Sequence, residues 1–362
     1  MEKAIKMFRL GILLGLTGCL LSGCLTLSGF LRKEVEELRY QVQDLSFRLQ
    51  TVESQPEKIK GVIKQARVAV VYLWGTYTFT DSEGRPLRYV LTTEGKPIAD
   101  PKGTPKVDIT GTGPVAISNY CGTAFLVDRE GGLLTNRHVA EPWWEDEKAA
   151  PLLKAGLQPV FLRLRAFFQE RPEGVPIKVV RIHPEQDLAF LKTISWNPQA
   201  VPLPLYPSSA VLEEGQPVLL MGFPTGLEAV LAKLDDSEYD EIQNESGLCT
   251  YETAERLSKD KKILPSTTGG FLWEVLPKSL VYDARTKEGG SGGPLLNYQG
   301  QVIGVNVAYL PGFSGGNYAI PIRFSLELLE GKGSPGKGST QEDRKLSEWL
   351  DQGKIPIASC SE

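Results

Sequence analysis

Glu288-Gly289-Gly290-Ser291-Gly292-Gly293-Pro294-Leu295 frames one serine with glycines on both sides. Glycine admits positive φ and lets main-chain N–H groups approach a reacting atom, as a nucleophilic serine with an oxyanion hole requires. Gly-Ser-Gly-Gly also occurs in plain turns, so its reading depends on what else the chain carries. It carries two histidines. His138 lies in Gly132-Leu133-Leu134-Thr135-Asn136-Arg137-His138-Val139-Ala140, directly after the apolar run Thr123-Ala124-Phe125-Leu126-Val127, which places it at the end of a hairpin. His183 precedes Pro184 in a Pro-Glu-Gln turn and reads as a surface loop residue. Asp187 opens the apolar strand Leu188-Ala189-Phe190-Leu191, where a carboxylate can be buried beside a histidine. The three candidates thus follow in the order His, Asp, Ser.

These motifs resemble those of chymotrypsin-fold, trypsin-like serine proteases, and more narrowly the high-temperature-requirement (HtrA-like) type. The matching residues are Leu134-Thr135-Asn136-Arg137-His138, Asp187-Leu188-Ala189 and Gly289-Gly290-Ser291-Gly292-Gly293, followed by Ile303-Gly304-Val305-Asn306-Val307-Ala308. Secondary matches are Met221-Gly222-Phe223-Pro224, Tyr282-Asp283-Ala284 and Asn317-Tyr318-Ala319-Ile320-Pro321-Ile322. The resemblance runs roughly from Val62 to Phe324. It implies an all-β fold of two six-stranded barrels, a serine endopeptidase acting on protein or peptide substrates in protein quality control, and no cofactor. It also implies roles: Ser291 as nucleophile, His138 as general base and then acid, Asp187 as the orienting carboxylate, and the N–H groups of Gly289 and Ser291 as oxyanion donors. Asn306 resembles the position that supports the buried aspartate.

The chain departs from the family pattern at Arg285-Thr286-Lys287-Glu288, charged where a small apolar residue and Asn-Pro are usual. Arg285 lies six residues before Ser291, where such folds build the floor of the primary specificity pocket. Both a preference for acidic side chains and an outward-pointing arginine fit that placement. Segments Trp143 to Arg171 and Leu227 to Lys262 read as insertions that cover the cleft, contact a neighbouring protomer or decorate the surface. Family members often carry peptide-binding PDZ domains after the protease; the residues after Phe324 are expected to hold none.

With 362 residues, 41% apolar content and a formal charge of −4, the chain can bury a substantial core and lacks the basic field of a nucleic-acid partner. Its 37 glycines and 25 prolines suit short strands joined by many turns. Lys3, Lys6 and Arg9 followed by the apolar run from Leu10 to Leu21 form a targeting segment. Leu21-Ser22-Gly23-Cys24 resembles a lipoprotein signal peptidase box, which makes Cys24 the lipidation site and 1–24 a lipoprotein signal peptide. Cys19 fits the same pattern after a shorter apolar region, and an uncleaved anchor from Leu10 to Phe30 also fits. Either reading tethers the chain to the cell envelope membrane, facing the periplasm or exterior.

Leu31, Val35, Leu38, Val42, Leu45, Leu49 and Val52 recur in steps of four and three, so 25–56 reads as a coiled-coil stalk that joins protomers into a homo-oligomer, dimer or trimer. One amphipathic helix packed on the protease fits the same spacing. Pro56 starts a second helix, 57–330 is the protease domain, and 331–362 holds a Gly-rich linker and a short helix around Leu346 to Leu350. Cys121, Cys249 and Cys360 are an odd number outside the signal region; a Cys121 to Cys249 bridge is one option, and the spacings offer no metal site. A competing function is a catalytically silent protease-fold lipoprotein serving as an envelope scaffold or chaperone, and a third is a coiled-coil tether. The co-occurrence of His138, Asp187 and Ser291 favours the enzyme.

Overall fold

Short apolar runs punctuated by glycine and proline form the strands of two closed antiparallel barrels. The computed structural model describes residues 39, 56–101, 103–245, 250–307, 316–336 and 344–351. The chain divides into Met1–Gly61 and Val62–Glu362. In the first unit, residues 56–61 are helical, as Pro56 predicts. The lipidation box, the heptad apart from Arg39, Cys249, Cys360 and the linker from 337 to 343 lie outside the described residues.

In the second unit the strands are β1 (Val70–Thr80), β2 (Arg88–Tyr89), β3 (Val107–Asp108), β4 (Ser118–Leu126), β5 (Gly132–Thr135), β6 (Gln158–Phe167) and β7 (Val175–Ile182). They continue as β8 (Ala189–Thr193), β9 (Pro217–Gly222), β10 (Ser266–Val275), β11 (Leu280–Tyr282), β12 (Pro294–Asn297), β13 (Val302–Val307) and β14 (Asn317–Pro321). The first barrel closes in the order β1-β4-β5-β8-β7-β6 and the second as β10-β11-β14-β13-β12-β9. This is the chymotrypsin-like double six-stranded barrel. The small β2-β3 sheet occupies the segment between β1 and β4.

β6 corrects the sequence reading of Trp143 to Arg171 as an insertion. Residues Gln158–Phe167 form a structural strand that pairs with β1 and closes the first barrel. Only the stretch ahead of it, with the short helix Ala150–Lys154, is added to the frame. β1 is buried at all eleven positions, without alternation. Its outer side is covered from the other barrel: the helix Tyr251–Lys259, inserted between β9 and β10, sets Tyr251 against Trp74, Phe167 and the Arg163 guanidinium. Thr250 caps that helix by accepting the Thr253 N–H at 3.1 Å, and Ser258 Oγ donates to the Arg171 carbonyl. The insertion from Leu227 to Lys262 is therefore a strap from the second barrel onto the first.

The core of the second barrel is built by Val218, Leu220, Leu272, Leu280, Tyr282, Leu295 and Ile303. The helix Ile322–Leu329 follows β14. In the last helix, Arg344–Asp351, Leu346 and Leu350 join Val115, Ile117 and Leu162 in a second apolar cluster. Among the described residues, no helix is long and apolar enough to cross a membrane.

Candidate active site

The β4-β5 hairpin delivers His138. Its turn is tied by Asp128 Oδ1, which accepts the Glu130 N–H at 2.9 Å and the Gly132 N–H at 2.6 Å. After β5 the chain enters the short helix Arg137–Ala140. That helix sits close against β4, where a Cβ on Gly122 would lie 2.5 Å from Val139 Cγ1. Asp187 meets His138 twice: Oδ1 accepts the His138 main-chain N–H at 2.9 Å, and Oδ2 lies 2.6 Å from His138 Nδ1. An ionised carboxylate can only accept, so the Nδ1 proton is held against Asp187 and the Nε2 lone pair remains on the far edge of the ring.

Two residues to which the sequence reading assigns no site role, Asn136 and His183, hold Asp187 in place. Asn136 is fully buried and its Nδ2 donates to the Asp187 carbonyl at 2.8 Å. Its place in the motif Leu134-Thr135-Asn136-Arg137-His138, directly after β5, is the signal that points to it. His183 is buried rather than on the surface. Its Nδ1 accepts the N–H groups of Glu185 at 3.1 Å and Gln186 at 2.9 Å, and its own N–H donates to the Leu188 carbonyl. The Pro-Glu-Gln turn was legible, but its fastening to an inward-pointing imidazole was not. Burial lowers the pKa of His183, which keeps it neutral and able to accept.

The serine turn joins β11 to β12. Gly289 and Gly292 both have φ +82°, and a Cβ there would lie 2.5 Å from the Phe223 carbonyl oxygen and 2.1 Å from the Thr123 carbonyl oxygen, respectively. Only glycine fits both requirements. Four consecutive carbonyls of the turn are held. Glu288 O accepts Thr225 N–H at 2.5 Å, Gly289 O accepts Thr123 Oγ1 at 2.8 Å, Gly290 O accepts Asn306 Nδ2 at 2.8 Å, and Ser291 O accepts Thr123 N–H at 2.9 Å. Ser291 itself is 7% exposed. Thr123 belongs to β4 of the first barrel, and its carbonyl accepts Thr135 Oγ1, three residues before His138. A short series of hydrogen bonds thus links the serine turn to the strand that carries the histidine.

Asn306 lies elsewhere than expected. Its amide contacts the serine turn through Gly290 O and Thr286 Oγ1, and its Oδ1 accepts the Tyr282 hydroxyl; these bonds take the place of support for Asp187. Alternation along β13 explains the difference, since Asn306 is fully buried and its side chain faces the barrel interior beneath the turn. Arg285 is exposed and borders a cavity of about 10 Å³ with Met221, Thr268 and Gly290, too small for an amino acid side chain. Cys121 is a free thiol, raised in pKa by burial, packed near Gly226. Among the described residues no group of three or more His, Cys, Asp or Glu is placed to hold a metal.

Residues 122–305, just over half of the chain and the segment that holds His138, Asp187 and Ser291, match the trypsin-like peptidase domain. The chain belongs to the trypsin-like peptidase family, and its features are those of the HtrA-like type. A probable periplasmic serine endoprotease, DegP-like, from Hahella chejuensis is 27% identical over 211 residues, 58% of this chain and 34% of that protein. Protease Do-like 5, chloroplastic, from Arabidopsis thaliana is 31% identical over 206 residues, 56% of this chain and 53% of that protein. A solved serine endoprotease from Yersinia pestis aligns with a TM-score of 0.42 at 17% identity, covering 75% of this chain and 65% of that one. The chain spans about a third of the length of the DegP-like relatives it matches.

Proposed function

We propose that this chain is a membrane-tethered serine endopeptidase of the cell envelope, hydrolysing peptide bonds through His138, Asp187 and Ser291. The observation that carries the reading is the double contact between His138 and Asp187, in the same unit as a glycine-framed serine. Ser291 Oγ attacks the peptide carbonyl. His138 Nε2 takes the serine proton and passes it to the leaving amine, while Asp187 holds the ring and stabilises the imidazolium. The N–H groups of Gly289 and Ser291 receive the oxyanion, and water then repeats the sequence on the acyl-enzyme. The DegP-like relatives, each described as a probable periplasmic serine endoprotease, support the envelope as the site of action. The lipid on Cys24 and the stalk 25–56 supply the tether, and protein quality control is the fitting task.

The test is labelling of the purified protein with a fluorophosphonate, which phosphonylates a serine only when a base and an oxyanion site activate it. Wild type is expected to label and to cleave casein. Ser291→Ala is expected to lose turnover by a factor on the order of 10⁶, by analogy with subtilisin. Casein cleavage by the alanine variant at the wild-type rate would overturn the assignment.

A further inference from the structure

The unusual feature of the serine turn is a fully buried side-chain amide beneath it whose hydrogen-bonding groups all find partners. Asn306 Nδ2 donates to Gly290 O at 2.8 Å and faces Thr286 Oγ1 at 3.4 Å, and Oδ1 accepts from the Tyr282 hydroxyl. Its main chain is bonded to the same loop: Asn306 N–H donates to Gly293 O at 2.8 Å, and Gly292 N–H donates to Asn306 O at 2.9 Å. A rotated amide would turn Oδ1 toward the Gly290 carbonyl, oxygen against oxygen. The orientation is therefore fixed by the network. Tyr282 is fully buried, and burial raises its pKa well above the usual tyrosine value, so its hydroxyl stays protonated and donating.

The Gly290–Ser291 peptide is trans and planar, so its N–H points opposite to its carbonyl. The carbonyl is held inward by the Asn306 amide at 2.8 Å and also accepts the Gly293 N–H at 3.1 Å. The Ser291 N–H consequently faces out of the barrel interior, on the side opposite Asn306. Around the next peptide but one, Thr225 N–H holds Glu288 O and so sets the direction of the Gly289 N–H in the same way. One of the two proposed oxyanion donors is thus governed by a backbone contact alone and the other by a side chain together with the Gly293 N–H that closes the turn.

We propose that Asn306, locked by Tyr282, is the positioning residue that aims the Ser291 N–H at the developing oxyanion. The proposal rests on the serine peptidase reading above, and it assigns Asn306 to the oxyanion donor rather than to the aspartate. An amide that holds a donor acts on the transition state and not on substrate docking, so its loss should appear in kcat and spare KM.

The experiment compares wild type, Asn306→Asp and Tyr282→Phe in the full-length protein, with a peptide substrate, fluorophosphonate labelling and a thermal melt on each. Asn306→Asp keeps the shape but puts an acceptor against Gly290 O. It is expected to lower kcat by a factor on the order of 10² to 10³, the usual result of losing one oxyanion donor, with KM within about threefold. Tyr282→Phe keeps the amide but releases its orientation, and kcat is expected to fall about tenfold at the same KM. A folded Asn306→Asp variant with wild-type kcat would overturn the proposal, as would a rise in KM that accounts for the whole loss. If Asn306→Asp does not fold, Tyr282→Phe decides: a lower kcat at unchanged KM supports the proposal, and wild-type kinetics overturn it. Failure of wild type itself to label or to cleave would instead bring down the peptidase reading, and the oxyanion role with it.

Discussion

His183 shows how a single side chain can matter without touching the proposed reaction. Its neutral imidazole accepts two main-chain N–H groups and so shapes the turn that presents Asp187. The ring packs edge-on against Phe324, with Glu185 and Glu327 as the neighbouring charges that favour protonation; burial opposes them and prevails. The folded-state pKa is below the unfolded value of about 6.5, so the unfolded chain binds the proton first. The stability contributed by neutral His183 is complete above about pH 6.5 and is lost as pH falls through the lower folded-state value. His183→Asn, which retains a side-chain acceptor but does not titrate in this range, is expected to flatten the decline in unfolding free energy between about pH 6.5 and 5. Denaturant unfolding across that range is the measurement, and identical slopes for the two proteins would rule out the assignment. The contrast with His138 and Asp187 marks the limit of sequence reading at this scale. Those two sit in motifs whose residues also carry the strand pattern, whereas the inward turn of His183 and the direction of Asn306 depend on which face of a barrel receives them. A proline turn and a strand position can be read from the chain, but the neighbour across the barrel cannot.

At the scale of elements, apolar runs and turn signals announce β4, β5 and β8, and the family resemblance adds the strand after the serine, β13. β6 was hidden because Gln158-Pro159-Val160-Phe161-Leu162-Arg163-Leu164-Arg165 mixes arginines with apolar residues, and its charges are neutralised only by packing. Arg163 lies 4.2 Å from the Tyr251 ring centroid and is paired with Glu252, both from the strap helix of the other barrel. This makes Tyr251 the hinge pin of the strap, in contact with Trp74, Phe167 and Arg163 together. Its hydroxyl also donates to Glu255 at 2.8 Å, within its own helix. Tyr251→Ala is expected to cost about 3 kcal/mol of unfolding free energy, the low end for removing a packed aromatic ring. Tyr251→Phe, which keeps the ring, should cost about 1 kcal/mol for the hydroxyl bond alone. Equal losses for the two variants in chemical denaturation would mean that the strap is held by the hydroxyl and not by ring packing.

For the whole molecule, the proposed membrane tether and the proposed self-association are separately testable. Cys24→Ser is expected to abolish lipid processing and leave the precursor uncleaved, and intact-mass analysis of detergent-extracted protein reads this directly; an unmodified N-terminus at Met1 in wild type would instead identify an uncleaved anchor. Self-association is a separate matter. If the heptad Leu31, Val35, Leu38, Val42, Leu45, Leu49 and Val52 forms the proposed coil, burial of its apolar stripe between helices would contribute a few kcal/mol per layer, at about 25 cal/mol per Å². A soluble chain beginning at residue 28 should therefore associate, and one beginning at residue 56 should form a smaller species. Replacing Leu38 and Leu45 with Glu buries like charges in the seam and should disperse the oligomer. Hydrolysis of a small peptide should change little, because the proposed catalytic residues all lie within Val62–Glu362, a unit with its own core. Light scattering decides between the alternatives: if both chains give the same mass, association belongs to the barrels or their strap, and the stripe from Leu31 to Val52 serves another contact.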